Sequence, residues 1–297
     1  MAITMKRIRH NIEYSVIRIL IFLLNLAPYK LALYFGDFIG ILAFSVLRIR
    51  RKITLDNLRN SFANKYSERE LAGIGSRAYR NFAKSMIEYG LFPKLKKKDL
   101  NKFVSIEGLE HLINLRDKKS GAVMVTGHFG SWELMGAYIS RQGFPIDYLV
   151  GEQHNLEINR LMNNNRQMFG IGLIEMGVAA RGVIKAVKTG RMVAMLSDQD
   201  AGSDGAIVRF MGRPASTPKG PAAFAIKTGV PMIFGVAVRQ GKKHVIHIEP
   251  PIEFKPSGNK DDDIKNLTQA YTSLLGKYIE IYPDHWFWPH RRWKSTS

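Results

Sequence analysis

The sequence predicts an α/β domain, with a mostly parallel sheet flanked by helices, that follows an apolar helical N-terminal extension. From residue 103 onward short apolar runs alternate with helical stretches, as expected when crossover helices connect parallel strands. Hydrophobic residues make up 45% of the 297 residues and charged residues 23%, which excludes a disordered or collagen-like chain. With no internal repeat and no evident linker, we expect an N-terminal segment over residues 1–50 and one domain over residues 51–297.

The first 50 residues are apolar and lie between two basic flanks. Their longest uncharged runs, residues 19–29 and 38–47, are shorter than the ~18–20 residues that a membrane-spanning helix needs. Basic residues precede and follow these runs: Lys6, Arg7 and Arg9, then Arg48, Arg50, Arg51 and Lys52. Because positive charge favours the cytoplasmic side, we expect an apolar helix or helical pair that lies in one leaflet with both ends cytoplasmic.

Two other interpretations of this segment remain open. A buried helical hairpin of a soluble domain would have the same composition. A secretory signal would also combine a basic start with an apolar centre, but the stretch from Leu26 to Tyr29 lacks a small-residue cleavage site.

The remaining elements follow from hydrophobic periodicity and from start and stop signals. Helices are predicted over residues 50–63 and 67–92, and the second opens with the capping-box pattern of Ser67 and Glu70. After them, short apolar runs predict strands and amphipathic stretches predict helices. The strands are residues 121–126, 145–150, 172–175, 192–197, 231–238 and 244–249, and the helices are residues 132–141, 156–169, 179–188 and 264–281.

A glycine-flanked turn between a predicted strand and a predicted helix carries a histidine, His128. Open α/β sheets bind their ligands at the carboxyl ends of strands, where this turn lies. Glu133 falls in the first turn of the helix if Ser131 is its N-cap, so its carboxylate can reach the imidazole. We therefore expect His128 to act as general base on an attacking hydroxyl and Glu133 to orient its ring. Backbone N–H groups around Gly130 would help to hold a developing oxyanion.

The spacing of His128 and Glu133 is a weak signal when taken alone. Chance gives roughly 0.7 such histidine–carboxylate pairs in a chain of this composition, and His244 with Glu249 forms a second pair. That second pair lies in an alternating strand, where an odd offset puts the two side chains on opposite faces. On spacing alone, a turn histidine and an ordinary first-turn acid remain an equal explanation of the first pair.

The residues around His128 resemble a motif of a known family. Residues 127–133 read Gly-His-Phe-Gly-Ser-Trp-Glu, which is similar to the Gly-His-x-Gly-x-Trp-Glu pattern of the late acyltransferases of lipid A biosynthesis. Further segments match this family in the same order: Asn57-Leu58, Asn163 to Arg166, Asp198-Gln199-Asp200, Phe210 to Ala215, and Trp286 to Lys294. The resemblance extends from about residue 10 to residue 294.

This resemblance implies an acyltransferase-like α/β fold and a specific reaction. A fatty acyl chain would pass from an acyl carrier protein thioester to a hydroxyl of a lipid A precursor, at the cytoplasmic face of the bacterial inner membrane. The family's histidine and acidic residue correspond to His128 and Glu133, and no metal or redox cofactor is implied. Substrate-binding residues are expected at five further positions: Arg166, Asp198, Gln199, Asp200 and Arg213.

Elementary chemistry agrees with this reaction. A thiol has an ordinary pKa of about 8.5, so its thiolate departs without a strong general acid and one histidine can suffice. Arg166, Arg209 and Arg213 could grip a phosphate on either substrate. Lys and Arg number 44 against 25 Asp and Glu, and the net charge of +19 suits both an acidic carrier protein and anionic phospholipid. The chain has no cysteine, which excludes a thiol nucleophile and thiolate metal sites.

Other functions are compatible with parts of the sequence. The same chemistry could serve a phospholipid or mannolipid acceptor, or use coenzyme A as the donor. The charge alone would permit a nucleic-acid-binding protein, but there is no recognition helix, RNP-type strand or finger motif, and we expect no nucleic acid partner. A membrane-surface adaptor without catalysis is the third possibility.

Overall fold

A seven-stranded sheet forms the centre of the protein. The computed structural model describes residues 2–296, apart from the side chains of residues 2–4, 6 and 64, so the basic flank expected at Lys6 lies outside the described residues. The strands are β1 (Val104–Glu107), β2 (Ala122–Thr126), β3 (Ile146–Val150), β4 (Gly172–Glu175), β5 (Met192–Leu196), β6 (Ala206–Phe210), β7 (Arg213–Thr217), β8 (Met232–Gln240) and β9 (Lys243–Ile248). The sheet has the order β1-β9-β8-β2-β5-β3-β4, and β6 and β7 form a separate hairpin.

Five of the six strand pairings in this sheet are parallel, which confirms the predicted mostly parallel sheet. The exception is the pairing of β8 with β9, because the tight turn through Gly241 reverses the chain between them. As a result β1 and β9 run opposite to the other five strands.

Helices cover both faces of the sheet and also precede it. They are α1 (Ala2–Leu26), α2 (Tyr29–Ile41), α3 (Arg51–Phe62), α4 (Glu68–Gly90), α5 (Phe92–Leu95), α6 (Leu109–Asp117), α7 (Trp132–Arg141), α8 (Leu156–Met168), α9 (Ala179–Lys188), α10 (Gly220–Thr228) and α11 (Lys260–Ile281). Val123 and Val125 of β2 belong to the core under α9, α10 and α11. Ala122 and Met124 belong to the opposite core, which includes α6 and α7, so this central strand is buried on both sides.

The predicted boundaries of most elements agree with the structure. The bounds of α7, α9 and β4 are those expected, and the capping box of Ser67 and Glu70 begins α4. The sequence did not predict β1, α6, the β6–β7 hairpin or α10. The hairpin was missed because Pro214 lies within β7, and proline is rare inside strands. Helix α10 was missed because it begins with Gly220-Pro221, a pair that is typical of turns.

The helices α1 and α2 lie against α4 and leave an apolar face uncovered. Contact with α4 is close, since a Cβ on Gly40 would lie 2.5 Å from the Cα of Arg80. The large apolar side chains of the uncovered face are 43% to 68% exposed: Met5, Ile8, Ile12, Val16, Ile19, Phe22, Leu23, Leu26, Leu31, Tyr34, Phe38, Ile41, Val46 and Leu47. With a π-helical continuation, α2 provides an 18-residue stretch, Tyr29–Val46, that is long and apolar enough to cross a membrane by length and composition alone.

Candidate active site

The loop between β2 and α7 carries His128 and has a tightly constrained backbone. Gly130 has a φ of +55°, and a Cβ on it would lie 1.7 Å from the carbonyl oxygen of Ala237, so only glycine fits there. The Gly130 N–H donates to the carbonyl of His285 (2.8 Å), and the Phe287 N–H donates to the carbonyl of His128 (3.1 Å). N–H groups around Gly130 were expected to help hold an oxyanion. The Gly130 N–H itself does not fit this expectation, because it donates to the carbonyl of His285.

Asp198 holds the imidazole of His128 through its ring nitrogen Nδ1. The Nδ1 atom lies 2.8 Å from Asp198 Oδ1, and the backbone N–H of His128 donates to Oδ2 at 2.9 Å. Trp286 Nε1 donates to the same Oδ2 at 2.8 Å. The Asp198 side chain is only 2% exposed, so its position is fixed by these contacts and by the strand it follows. Asp198 therefore binds His128 and not solvent.

The opposite nitrogen of His128, Nε2, has no hydrogen-bond partner within residues 2–296 as described. The side chain keeps 22% of its surface exposed, so a substrate hydroxyl can approach it. Trp132 and Phe287 form an aromatic wall beside the ring, at centroid distances of 5.2 Å and 6.3 Å. Phe82 lies behind both of them, 6.0 Å from Trp132 and 4.6 Å from Phe287.

Glu133 does not hold the His128 ring as expected, since its carboxylate faces Arg166. The guanidinium of Arg166 donates to both carboxylate oxygens, from Nε at 3.1 Å and from Nη2 at 2.6 Å. Arg166 in turn lies between the rings of Tyr89 and Tyr148, 5.7 Å from each centroid. In this bidentate contact the planar guanidinium binds both carboxylate oxygens, whereas one imidazole nitrogen could bind only one of them. The carboxylate that contacts the His128 ring is that of Asp198, and not that of Glu133 as predicted.

The charges around His128 favour its protonated form. Burial opposes the charged ring, but the charge and hydrogen bond of Asp198, and then the charge of Glu133, outweigh burial and raise the pKa of His128 above its ordinary value. Burial opposes the charged form of Asp198 too, which for a carboxyl group means a higher pKa, but the charge of His128 and the hydrogen bonds from His128 and Trp286 outweigh burial and lower the pKa of Asp198 to about 2. A pKa this low keeps the Asp198 carboxylate ionised at neutral pH.

An apolar cavity of about 600 Å³ lies beside this site. It runs between the N-terminal helices α1 and α2 on one side and α4 and α8 on the other. Phe82 and Phe287, which neighbour His128, belong to its wall. The rest of the wall is mostly aliphatic and includes Leu20, Ile21, Leu24, Ile39, Ala43, Ala83, Met86, Ile87, Leu161 and Met162.

The other predicted substrate-binding residues lie near the C-terminal segment, residues 282–296, which follows α11. The Asp200 N–H donates to His290 Nε2 (2.9 Å), and its carboxylate accepts a hydrogen bond from Ser295 Oγ (2.6 Å). The guanidinium of Arg213 lies 4.6 Å from the centroid of the Trp293 ring. Gln199 is half-buried between Asp198 and Asp200. The structure thus brings Glu133, Arg166 and Asp198 to the His128 region and holds Asp200 and Arg213 at the C-terminal segment.

Sequence reasoning missed a buried ionic network behind the His128 loop. Glu88 of α4 is 0% exposed and pairs with Arg239 of β8 and His244 of β9. The signal was a charged residue on the apolar face of an amphipathic helix, together with a cation near the end of an apolar strand. Within the described part of the chain, no group of three or more His, Asp or Glu side chains is arranged to hold a metal ion.

Comparison with known proteins adds independent information. A profile of the family described as bacterial lipid A biosynthesis acyltransferase matches residues 1–295. The chain is 25% identical over 277 residues to the lipid A biosynthesis palmitoleoyltransferase of Escherichia coli (strain K12), covering 90% of this chain and 86% of that protein. It is 24% identical over 283 residues to the lipid A biosynthesis lauroyltransferase of the same strain, covering 90% and 87%. A phosphatidylinositol mannoside acyltransferase of Mycolicibacterium smegmatis is 20% identical over 217 residues, covering 72% of this chain and 70% of that protein.

Proposed function

Since the chain belongs to the bacterial lipid A biosynthesis acyltransferase family, we propose that it moves a fatty acyl group from an acyl carrier protein thioester to a hydroxyl of a lipid A precursor. The observation that carries this proposal is the His128–Asp198 pair, whose free Nε2 lies beside an apolar cavity. An imidazole base next to a space for a hydrocarbon chain suits the acylation of a hydroxyl.

His128 is the general base in the proposed reaction. The acceptor hydroxyl oxygen attacks the thioester carbonyl carbon while Nε2 of His128 takes the hydroxyl proton. Asp198 accepts a hydrogen bond from Nδ1–H and stabilises the imidazolium, as the buried carboxylate of a catalytic triad does. The tetrahedral intermediate then expels the thiolate, which takes the proton from Nε2. The ester and the free thiol are the products, and His128 returns to its neutral state.

Glu133 and Arg166 support this chemistry in the proposal. Glu133 contributes a negative charge that stabilises the imidazolium of His128. Its bidentate ion pair holds Arg166, whose Nη1 also donates to Asn163 Oδ1 at 3.1 Å, and in the proposal the N–H groups that remain bind a polar group of a substrate. Asp200, Gln199 and Arg213 would contact the acceptor from the side of the C-terminal segment.

The cavity between the N-terminal helices and α4 is the proposed site of the acyl chain. Its wall is mostly aliphatic and aromatic, so a hydrocarbon tail loses its contact with water on entering. Because Phe287 borders both the cavity and His128, a tail in the cavity would leave its thioester carbonyl near the imidazole.

Residues 1–50 are the proposed membrane anchor, and residues 51–297 the catalytic domain. The uncovered apolar face of α1 and α2 would insert into the bilayer, and the basic residues on either side of it would meet anionic headgroups. Both flanks are basic, so we place the protein at the cytoplasmic face of the bacterial inner membrane.

A second candidate acceptor has specific support. The similarity to a phosphatidylinositol mannoside acyltransferase favours a mannolipid as the alternative acceptor. Coenzyme A is the alternative donor that the same chemistry could use. The net charge of +19 attracts either donor, since an acidic carrier protein and the phosphates of coenzyme A are both anionic.

The test is an acylation assay on the protein purified in detergent. Wild type, His128→Ala and His111→Ala would be incubated with acyl carrier protein or coenzyme A donors and with a tetraacylated lipid A precursor or a phosphatidylinositol mannoside. Mass spectrometry would follow the gain of one acyl group. His111 is the matched control because it is also a histidine beside a carboxylate, that of Glu110, but it lies on α6.

We expect wild type and His111→Ala to acylate the lipid A precursor, and His128→Ala to lose at least about 99% of the rate, because a general base contributes roughly 100-fold or more. Equal rates for His128→Ala and wild type would remove His128 from the mechanism. Transfer only to the mannoside would replace the lipid A acceptor.

A further inference from the structure

The ionic network behind the His128 loop contains one fully buried carboxylate. Arg239 donates to both oxygens of Glu88, from Nη1 to Oε1 at 2.8 Å and from Nη2 to Oε2 at 2.7 Å. His244 Nε2 lies 3.0 Å from Oε1. A buried carboxylate needs such partners, because a charge without them is strongly disfavoured in the protein interior.

Two hydroxyl groups from different parts of the chain also donate to Glu88. Ser131 Oγ donates to Oε2 at 2.8 Å, and the hydroxyl of Tyr29 donates to Oε1 at 2.6 Å. Ser131 directly follows Gly130 in the loop that carries His128. Tyr29 is the first residue of α2 and has no place in that loop. The two hydroxyls therefore offer a matched pair of probes on one carboxylate.

The Ser131 side chain binds Glu88 and does not cap helix α7. It occupies the N-cap position of α7, where a serine side chain commonly accepts a hydrogen bond from the helix backbone, yet it makes no such bond. Its oxygen instead accepts a hydrogen bond from Arg239 Nη2 (3.1 Å) and lies 3.0 Å from Ser85 Oγ. Ser85 Oγ also donates to the carbonyl of Gly130 (2.9 Å), so α4 contacts this loop at two adjacent residues.

From these contacts we propose that Ser131 is a positioning residue, through which Glu88 and Arg239 hold the His128 loop in its reactive geometry. Asp198 holds the first part of the loop through the His128 N–H, and Glu88 holds its last residue through the Ser131 hydroxyl. This inference rests on the proposed acyl transfer by His128. A displacement of about 1 Å at a reacting group can cost on the order of 100-fold in rate.

The test compares Ser131→Ala with Tyr29→Phe in the full-length protein. Each change removes one hydroxyl that donates to Glu88 and leaves the Glu88–Arg239 pair in place. Ser131→Ala also removes the acceptor of Arg239 Nη2 and the neighbour of Ser85 Oγ, so the folded fraction of each variant is measured beside its kcat. We expect Ser131→Ala to lower kcat by about 10- to 100-fold with the donor KM within about twofold of wild type. Tyr29→Phe should retain kcat within about twofold. Hydrogen–deuterium exchange of the peptide spanning residues 127–131 should accelerate in Ser131→Ala alone.

The outcomes separate this inference from the proposed reaction. Equal kcat values for the two variants, or equal exchange in residues 127–131, would overturn the positioning role. A fall in kcat that matches a fall in the folded fraction would also overturn it. If wild type transferred no acyl group from either donor, the proposed reaction would fail, and the exchange rates would still decide whether Ser131 holds the loop.

Discussion

Replacing Asp198 with asparagine removes the charge that stabilises protonated His128 while keeping nearly the same side-chain shape. The ordinary pKa of Asp198 is 3.8 and its pKa in the structure is about 2. The difference corresponds to about 2 kcal/mol of net stabilisation of the ionised carboxylate relative to the protonated one. His128 supplies the largest share of the interactions that lower it. If that stabilisation is present in the imidazolium formed during acyl transfer, its loss slows the reaction about 30-fold.

The amide can add a second effect on the tautomer of His128. If the asparagine NH₂ group donates to Nδ1, the ring proton moves to Nε2 and the base is blocked. A carboxylate-to-amide change behind a catalytic imidazole then costs on the order of 10⁴-fold. We therefore expect Asp198→Asn to lower kcat by between about 30-fold and about 10⁴-fold. Initial rates with an acyl carrier protein donor and a lipid A precursor would measure this.

The pH profile provides a separate check of the same contact. Because Asp198 raises the pKa of His128, the wild-type rate should rise with pH as His128 loses its proton. Asp198→Asn lowers that pKa, so the rise should move to lower pH. Asp204→Asn is the matched control, since Asp204 is exposed on a short turn outside the site. A wild-type rate and an unchanged pH profile in Asp198→Asn would refute the coupling.

Three further changes test other parts of the structure. Arg166→Lys keeps the charge but loses the two-pronged contact with Glu133, so kcat/KM should fall about tenfold in the acylation assay. Gly130→Ala should lower the thermal midpoint and abolish turnover, because its Cβ would lie 1.7 Å from the Ala237 carbonyl oxygen. Leu31→Gln with Phe38→Gln removes apolar side chains from the uncovered face of α2 without changing the net charge. It should weaken flotation with anionic vesicles and leave activity in detergent within about twofold, and equal flotation would contradict the membrane anchor.

Hydrophobic periodicity was sufficient to predict most of the sheet. The strands β2, β5 and β8 are apolar on both faces, and each produces a short uninterrupted apolar run in the sequence. The helices between them have clear starts and stops, as at the capping box of α4. These signals are local, so a single sequence displays them.

The elements that were missed have weaker local signals. The β6–β7 hairpin contains Pro214 and Arg209, and its turn includes Met211 with a φ of +50°, a conformation rare outside glycine. Glu88 was missed because its partners Arg239 and His244 are 151 and 156 residues away in the sequence. Nothing near Glu88 in the chain shows that a cation lies beside it.

The ring-orienting carboxylate was misassigned because the spacing along the chain carried more weight than the order of the strands. In the sheet β2 pairs in parallel with β5, and the last partners are Thr126 and Leu196, which are 70 residues apart. His128 and Asp198 each lie two residues beyond these partners, so the same separation of 70 brings them together where both strands end. Glu133 lies five residues from His128 but on the helix, where Arg166 takes its carboxylate. The residue opposite His128 thus follows from the adjacency of β2 and β5, a long-range property that periodicity does not reveal.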